Sequence, residues 1–267
     1  MRLLAERDVL AFERLLQSKG GDLGDEIISR AEAKERLLAF VRELYAQVGR
    51  VDFWPLQSAY NMGTGFVVFS FHGKIGMLVN GPTWGVDGIH IEPGQRTQLD
   101  EVLGNSPVTN INIIRFTTLS NNGAPFFTAG VNTHGRQFTI GASADTRIWC
   151  YAHISTWGST PFAYATYDTG AAVSEWTGMH FYAFRVPSNT DFRATVDGTH
   201  INPNSVTGNW DESSPSLTRF GATTYFGASS IIVPFQMVLN GVSLTDVAVD
   251  GIRSAFKNTL GEELGLS

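Results

Sequence analysis

The chain has 267 residues, of which 43% are hydrophobic, 12% aromatic and 16% charged, and its formal net charge is -6. This composition excludes a disordered or collagen-like chain, and the acidic balance argues against nucleic-acid binding, which depends on Lys and Arg at the phosphates. The charges are uneven: residues 1–50 hold 9 basic and 9 acidic residues, whereas the other 217 hold 10 and 16. We therefore predict a helical assembly or docking segment at 1–50 and a β domain at 51–267.

The first residues contain no uncharged apolar run of signal-peptide length, because Arg2, Glu6, Arg7 and Asp8 interrupt it. No stretch of about 18 apolar residues predicts a membrane helix. Cys150 is the single cysteine, so no intrachain disulfide can form and we expect a buried, unreactive thiol. These features favour folding in a cytoplasm.

Two helices are predicted at the start of the chain. Residues 2–18 place Ala5, Val9, Phe12 and Leu16 at spacings of 4, 3 and 4, and glycines end the pattern at 20 and 21. A second helix starts between residues 22 and 29, where a serine at 29 and a glutamate at 32 have capping-box spacing, and it ends near residue 48.

The second helix carries a heptad-like seam, which we predict as an oligomerisation surface, with a trimer as the expected form. The alternative is packing of the same helix against the β domain of its own chain, and the sequence leaves both open. The seam residues are Ile27, Ala31, Lys34, Leu38, Val41, Tyr45 and Val48.

From residue 51 onward the apolar period changes to two, and Gly, Pro and Asn clusters separate short runs, as is typical of an all-β sandwich or barrel. The predicted strands are 65–71, 110–116, 137–140, 147–157, 179–186, 192–196 and 235–239. An Asp-Gly pair at 197–198 predicts a tight hairpin.

Several runs in this part resemble, in the same order, the motifs of laminin G-like modules. They lie at 72–85, 88–91, 176–184 (WTGMHFYAF), 192–198 (FRATVDG), 226–229 and 234–239, followed by a short terminal helix at 244–256. The resemblance implies a mainly β fold: a concanavalin A-like jelly-roll β-sandwich with an N-terminal α-helical segment. It also implies that Trp84 and Trp176 pack in the core or on a sheet and do not contact a ligand.

The helical start followed by such a module resembles virion proteins of tailed bacteriophages, of the fibre, adhesin or capsid-decoration type. This resemblance implies a virion protein that is assembled in the host bacterial cytoplasm and contacts itself, other virion proteins and a host surface glycan. It leaves open a capsid or a tail location, the identity of any glycan and the copy number.

The chemistry-bearing residues do not predict an enzyme. Glycoside hydrolases need paired carboxylates, but the acidic residues of the β domain are scattered, and the six histidines stand singly without metal-ligand spacing. We therefore expect no catalytic residues and no cofactor, with calcium possible at Asp211 and Glu212, whose oxygens suit that ion. A hydrolase or lyase would require groups such as Asp145, Asp168, Glu175 and His153 to converge in space.

Two aromatic loops are the candidate glycan or partner contacts. Trp210 stands between two polar neighbours. Trp157 opens a second loop, which Tyr164, Tyr167 and Asp168 follow. The alternative is that either aromatic residue plugs the end of the sandwich. The candidate contact residues are Trp210, Asn209, Asp211, Trp157 and Tyr167. The preferred function is a non-enzymatic virion surface protein; the alternative is a non-viral carbohydrate-binding module.

Overall fold

The structure is a computed structural model of the whole chain. It describes residues 1–25, 27–61, 65–118, 126–130, 135–142, 146–154, 162–212, 216–222 and 230–266, with the backbone alone at 126–130, 174, 212 and 216–222. The predicted motif at 226–229 and the candidate Trp157 lie outside the described residues.

Four helices are described, with short 3-10 turns at Val173–Glu175 and Trp210–Glu212. The helices are α1 (Arg2–Ser18), α2 (Arg30–Val48), α3 (Ser58–Asn61) and α4 (Asp246–Lys257). The first half of the described strands comprises β1 (Trp54–Pro55), β2 (Val67–Phe69), β3 (Ile75–Val79), β4 (Thr83–Gly85), β5 (Gly88–Ile91), β6 (Arg96–Leu103), β7 (Val108–Thr118) and β8 (Phe126–Gly130). The second half comprises β9 (Gln137–Ala142), β10 (Arg147–His153), β11 (Ala163–Asp168), β12 (Met179–Ser188), β13 (Asp191–Val196), β14 (Thr199–Ile201), β15 (Ser205–Val206), β16 (Ser216–Ala222) and β17 (Ser230–Asn240).

Within the described residues these strands form two antiparallel sheets. The central sheet has eight strands in the order β14-β13-β12-β7-β17-β5-β4, with β1 paired to β17. The outer sheet has nine strands in the order β15-β11-β10-β9-β8-β16-β6-β3-β2. The fold is thus the mainly β, jelly-roll-like sandwich with N-terminal helices that the sequence predicts.

The central sheet is buried on both faces. On β7, Ile114 and Phe116 point into the core between the two sheets, while Ile111 and Ile113 point into a second core beneath the helices. Strands β12 and β17 show the same continuous burial. The molecule therefore has three layers: outer sheet, central sheet and helices.

A cluster of phenylalanine rings joins the helices to the central sheet. Phe40 of α2 lies with its ring centroid 5.3 Å from Phe53, 5.5 Å from Phe235 of β17 and 6.1 Å from Phe256 of α4. Phe53 also stacks on Phe71 at 4.7 Å. Such ring pairs contribute about 0.5–1.5 kcal/mol each beyond their area burial, so this cluster fixes the helical layer on the sheet.

Two buried acids of α1 connect that helix to its neighbours. Glu13 accepts hydrogen bonds from Arg30 and Lys34 of α2, each at 2.8 Å. Asp8 accepts from the Tyr45 hydroxyl at 2.9 Å and from Arg50 at 2.7 Å. Burial alone would raise the pKa of Asp8, but these hydrogen bonds and the Arg50 charge outweigh it and lower that pKa.

The structure assigns part of the seam to packing within the chain, because this helix packs on its own sheet, and the seam as an oligomer interface stays a prediction. Val41 and Tyr45 are fully buried within the same chain, Ile27 is exposed, and Lys34 pairs with Glu13. The face of α2 that is buried is shifted around the helix and consists of Ala33, Leu37, Phe40, Val41, Leu44 and Tyr45. The remaining seam residues are the exposed Ala31 and the partly exposed Leu38 and Val48. A trimer stays a prediction.

The local signals in the sequence are confirmed. The Ser29 hydroxyl accepts from the Glu32 amide at 3.3 Å and starts α2, and α4 occupies the predicted terminal helix. Asp197 and Gly198 have φ angles of 50° and 84° between β13 and β14, as the predicted turn requires. Trp84 and Trp176 pack against the core between the sheets. None of the described helices is long and apolar enough to cross a membrane.

We predict that Phe40→Ala lowers the free energy of unfolding by about 3–5 kcal/mol, because it leaves a cavity where helix and sheet meet. Guanidinium denaturation measures this change. The control Leu3→Ala, at a side chain that is 81% exposed on α1, should stay within about 0.5 kcal/mol of the wild type. Equal stability of the two variants would contradict the assignment of Phe40 to this core.

Candidate functional site

The prediction that Trp210 is a surface contact is wrong, because its side chain is fully buried. The indole stacks on Phe138 with the ring centroids 5.0 Å apart, and its Nε1 donates to the Gly104 carbonyl at 3.1 Å. Its own carbonyl accepts from the Arg136 guanidinium at 3.1 Å. Trp210 closes the end of the core between the sheets, which is the alternative that the sequence left open.

The polar neighbours of Trp210 hold this loop in place. Asn209 accepts from the Asp211 amide at 3.0 Å, and Asp211 accepts from the amide and the hydroxyl of Ser106 at 2.8 and 3.0 Å. Both carboxylate oxygens of Asp211 are thus engaged. The side chain of Glu212 is not described, so calcium binding by this pair stays a prediction. The part of the chain that the structure describes contains no cluster of three or more His, Cys, Asp or Glu residues placed to hold a metal.

The other candidate contact, Tyr167, lies on the inner side of the outer sheet. Its ring packs against Trp176 with the centroids 5.5 Å apart. Trp176 in turn lies flat on His180 at 3.7 Å and donates to the Tyr182 hydroxyl at 3.0 Å. These residues fill the end of the sandwich. The structure therefore does not bring Tyr167 together with Trp210 as one binding surface.

A different group of aromatic side chains lies on the outward side of the outer sheet. On β10, Ile148, Cys150 and Ala152 point into the core, so the alternate residues Trp149 and Tyr151 point away from it. Tyr164 of β11 is directly opposite Tyr151 in the strand pairing. All three rings are partly exposed. We call Trp149, Tyr151 and Tyr164 the aromatic face.

The three rings contact one another. Trp149 and Tyr151 are nearly parallel, with planes 9° apart and centroids separated by 6.0 Å. Tyr164 is tilted by 40° to Trp149 and by 43° to Tyr151, at 5.3 and 6.2 Å. On the β9 side, Trp149 is paired with Gly141, which presents no side chain beside the indole. The face therefore combines two parallel rings with a third ring set at an angle to both.

One end of the aromatic face is buried. The His153 ring lies 5.2 Å from Tyr151, and its side chain is almost fully covered. Burial lowers the pKa of His153 to about 3, so this histidine is neutral near pH 7. Burial likewise raises the pKa of Tyr151, which keeps its hydroxyl protonated as a hydrogen-bond donor.

Two exposed, oppositely charged residues lie at the other end. Arg147 of β10 and Asp168 of β11 are directly opposite each other in the strand pairing. The Gly170 amide, at 3.0 Å from the carboxylate, and the Thr146 hydroxyl lower the pKa of Asp168, and the Arg147 charge adds to this. Asp168 is therefore ionised at neutral pH.

The cysteine on β10 takes no part in this site. Cys150 is buried on the inner side of the strand, and burial raises the pKa of its thiol to about 12. The expected burial of this thiol is confirmed.

Sequence reasoning missed the aromatic face although its signal is present. Residues 147–152 alternate between exposed or partly exposed outward side chains and buried inward ones. Small inward residues, Cys150 and Ala152, hid this alternation. The sequence places Tyr164 after the Trp157 loop but does not show that it lies opposite Tyr151, because local periodicity does not define the pairing of β10 with β11.

Comparisons with known proteins give the fold. No protein-family model matches this sequence, and no curated protein matches it. Among solved structures, the chain is similar to the binding domain of botulinum neurotoxin DC in complex with SialylT, with a TM-score of 0.53 and 9% identity over 78% of this chain and 52% of that one. It is also similar to botulinum neurotoxin type C, whose structure concerns cell entry through two ganglioside molecules (TM-score 0.52, 9% identity, 78% and 53% covered).

A third similar structure is the sialidase of Trypanosoma rangeli in complex with 2,3-difluoro-KDN, with a TM-score of 0.55 and 11% identity over 85% of this chain. The chain spans 40% of that sialidase and about half of the two toxin structures. At these identities the similarity shows a shared β-sandwich fold.

We predict that His153 makes stability depend on pH. Its folded-state pKa lies below the unfolded value of about 6.5. Its contribution to the free energy of unfolding is therefore complete above pH 6.5 and is lost as the pH falls, by up to about 1.4 kcal/mol per pH unit. The free energy of unfolding can be measured by denaturation of wild type and His153→Gln between about pH 6.5 and pH 4. It should fall less steeply with decreasing pH for the variant. The neighbouring control Tyr151→Phe should keep the wild-type slope, and parallel curves for wild type and His153→Gln would contradict the prediction.

Proposed function

We propose that this chain is a non-enzymatic carbohydrate-binding protein and that the aromatic face contacts the sugar. The observation that carries the proposal is the group of three partly exposed rings, Trp149, Tyr151 and Tyr164, on the outward side of the outer sheet. Tyr and Trp are enriched where proteins bind partners, because they offer a large apolar surface with few rotatable bonds.

The chemistry of these rings suits a sugar. A pyranose ring has one apolar side formed by CH groups and a rim of hydroxyl groups. Trp149 and Tyr151 offer apolar ring surfaces, and the indole NH and the two phenol hydroxyls can bond to the rim. The angled Tyr164 ring forms a wall at the side of the two parallel rings. Stacking and hydrogen bonding can then act on one sugar unit.

The fold supports the same proposal. Two of the similar structures are named for a sialylated ligand or for gangliosides, and the third is a sialidase. Those ligands belong to those proteins, of which this chain spans only about half or less. The common fold makes a glycan a reasonable first class of ligand to test here.

The proposal of a non-enzymatic role rests on the described acidic residues that a hydrolase or lyase could use. Asp168 is exposed at the end of its strand and is bonded by the Gly170 amide, and Glu175 is also exposed. A glycosidase acid needs a raised pKa and a partner carboxylate within about 5–9.5 Å, whereas the pKa of Asp168 is lowered. Asp145 lies outside the described residues.

The wider biological setting is also a proposal. We infer a virion surface protein, of the decoration or fibre type, from the resemblance of the helical start and the laminin G-like motifs to phage proteins. The helices would then stabilise the module and offer their outward side to other virion proteins. Immunolabelling of purified particles should show the protein on their surface, and particles without label would contradict this setting.

We predict that Trp149→Ala and Tyr164→Ala each weaken glycan binding by at least about tenfold, since truncation of a central aromatic contact commonly costs about 2 kcal/mol or more. A glycan array would identify a ligand for the wild type, and isothermal titration would give the affinity of each variant.

The matched control is Phe66→Ala. Phe66 is 63% exposed and precedes β2, at the opposite edge of the same sheet. It should leave both the affinity and the unfolding midpoint unchanged. Equal affinities for wild type and the two aromatic-face variants would exclude this surface as the binding site.

A further inference from the structure

The region around the aromatic face has few positive charges. Between residues 116 and 184, which include β8 to β11, the sequence has no Lys and two Arg residues, Arg136 and Arg147. Arg136 is buried, and its guanidinium donates to the Trp210 carbonyl at 3.1 Å and to the Asn105 side chain. Arg147 is therefore the single Lys or Arg of this segment that can meet a ligand.

The charge of Arg147 is balanced at its own position. Asp168 lies directly opposite on β11, and both side chains are exposed. Because Asp168 is ionised at neutral pH, the pair adds no net charge to this end of the face. An acidic sugar that approached Arg147 would also approach the Asp168 carboxylate.

The residues that the structure describes at the opposite end of the face present no exposed cation either. His153 is the basic side chain nearest to Tyr151, and it is buried and neutral near pH 7. The formal net charge of the chain is -6, and it is carried by residues 51–267. This negative net charge therefore opposes the approach of an anionic ligand over long distances.

We propose, on the basis of the proposed function, that the aromatic face binds uncharged glycans and discriminates against sialylated or sulfated ones. Recognition of a carboxylate or sulfate group usually depends on an available Arg or Lys, and here Asp168 opposes the one that is exposed. The ligand class then differs from the sialylated ligand and the gangliosides named for two of the similar structures.

The test is an array of matched pairs, in which each neutral oligosaccharide is printed beside its sialylated form, followed by titration of lacto-N-neotetraose and its sialylated derivative. We expect the sialylated member to bind about fivefold more weakly or worse, which is the effect of about 1 kcal/mol of exposed charge repulsion. Added salt should narrow this difference because it screens surface charges.

The variant Asp168→Asn should reduce the difference in affinity between the neutral and the sialylated member of each pair. It should leave the affinity for the neutral member unchanged. Its control is Asp100→Asn, which removes the same charge from an exposed position on β6 of the same sheet and should have no effect. Preference of the wild type for sialylated members would overturn this inference and leave carbohydrate binding intact. Binding to no member of the array would overturn both.

Discussion

The central sheet is the element on which the rest of the structure depends, because it is buried on both of its faces. One face packs against the outer sheet and the other against α1, α2 and α4. The phenylalanine cluster around Phe40, Phe53 and Phe235 makes the second contact. Parallel sheets are usually the ones that are covered on both sides, so an antiparallel sheet with this burial reflects the added helical layer.

This arrangement determines where a ligand can bind to a sheet. A two-sheet sandwich has four faces: two meet in the core, and here the helices cover a third. The fourth is the outward side of the outer sheet, where Trp149, Tyr151 and Tyr164 lie. The helical segment therefore covers one sheet face and leaves the outward side of the outer sheet open to solvent, which is where we propose that a ligand binds.

Charge and aromatic content act together on that face. The rings provide apolar contact area, and the opposed Arg147 and Asp168 remove net charge from one end. The buried His153 contributes no charge at the other end. A chain that shares its fold with these toxin domains need not bind the same class of ligand, because the choice of ligand depends on the side chains of the site.

Much of the fold could be predicted from local sequence signals. The capping serine and glutamate at 29 and 32, the strand alternation and the Asp-Gly turn at 197–198 each act over a few residues, and the structure confirms them. The site could not be predicted in the same way. Trp210 has polar neighbours in sequence, yet it is buried, because Phe138 and Gly104 reach it from distant parts of the chain.

The helix seam shows the same limit of local sequence signals. A heptad-like pattern shows that a helix has an apolar side but does not show what covers it. Here the buried face is shifted around the helix to include Phe40, which Phe235 and Phe256 of the same chain contact. The aromatic face depends on the pairing of β10 with β11, which local periodicity does not define. Both outcomes depend on contacts between residues far apart in sequence.

The most direct test of the account is a crystal structure of the chain with a bound neutral oligosaccharide. The account predicts sugar density over Trp149 and Tyr151, with Tyr164 at its side and the helical layer unchanged. Density at the helical layer or at the end of the sandwich near Trp176, with the aromatic face free, would contradict it.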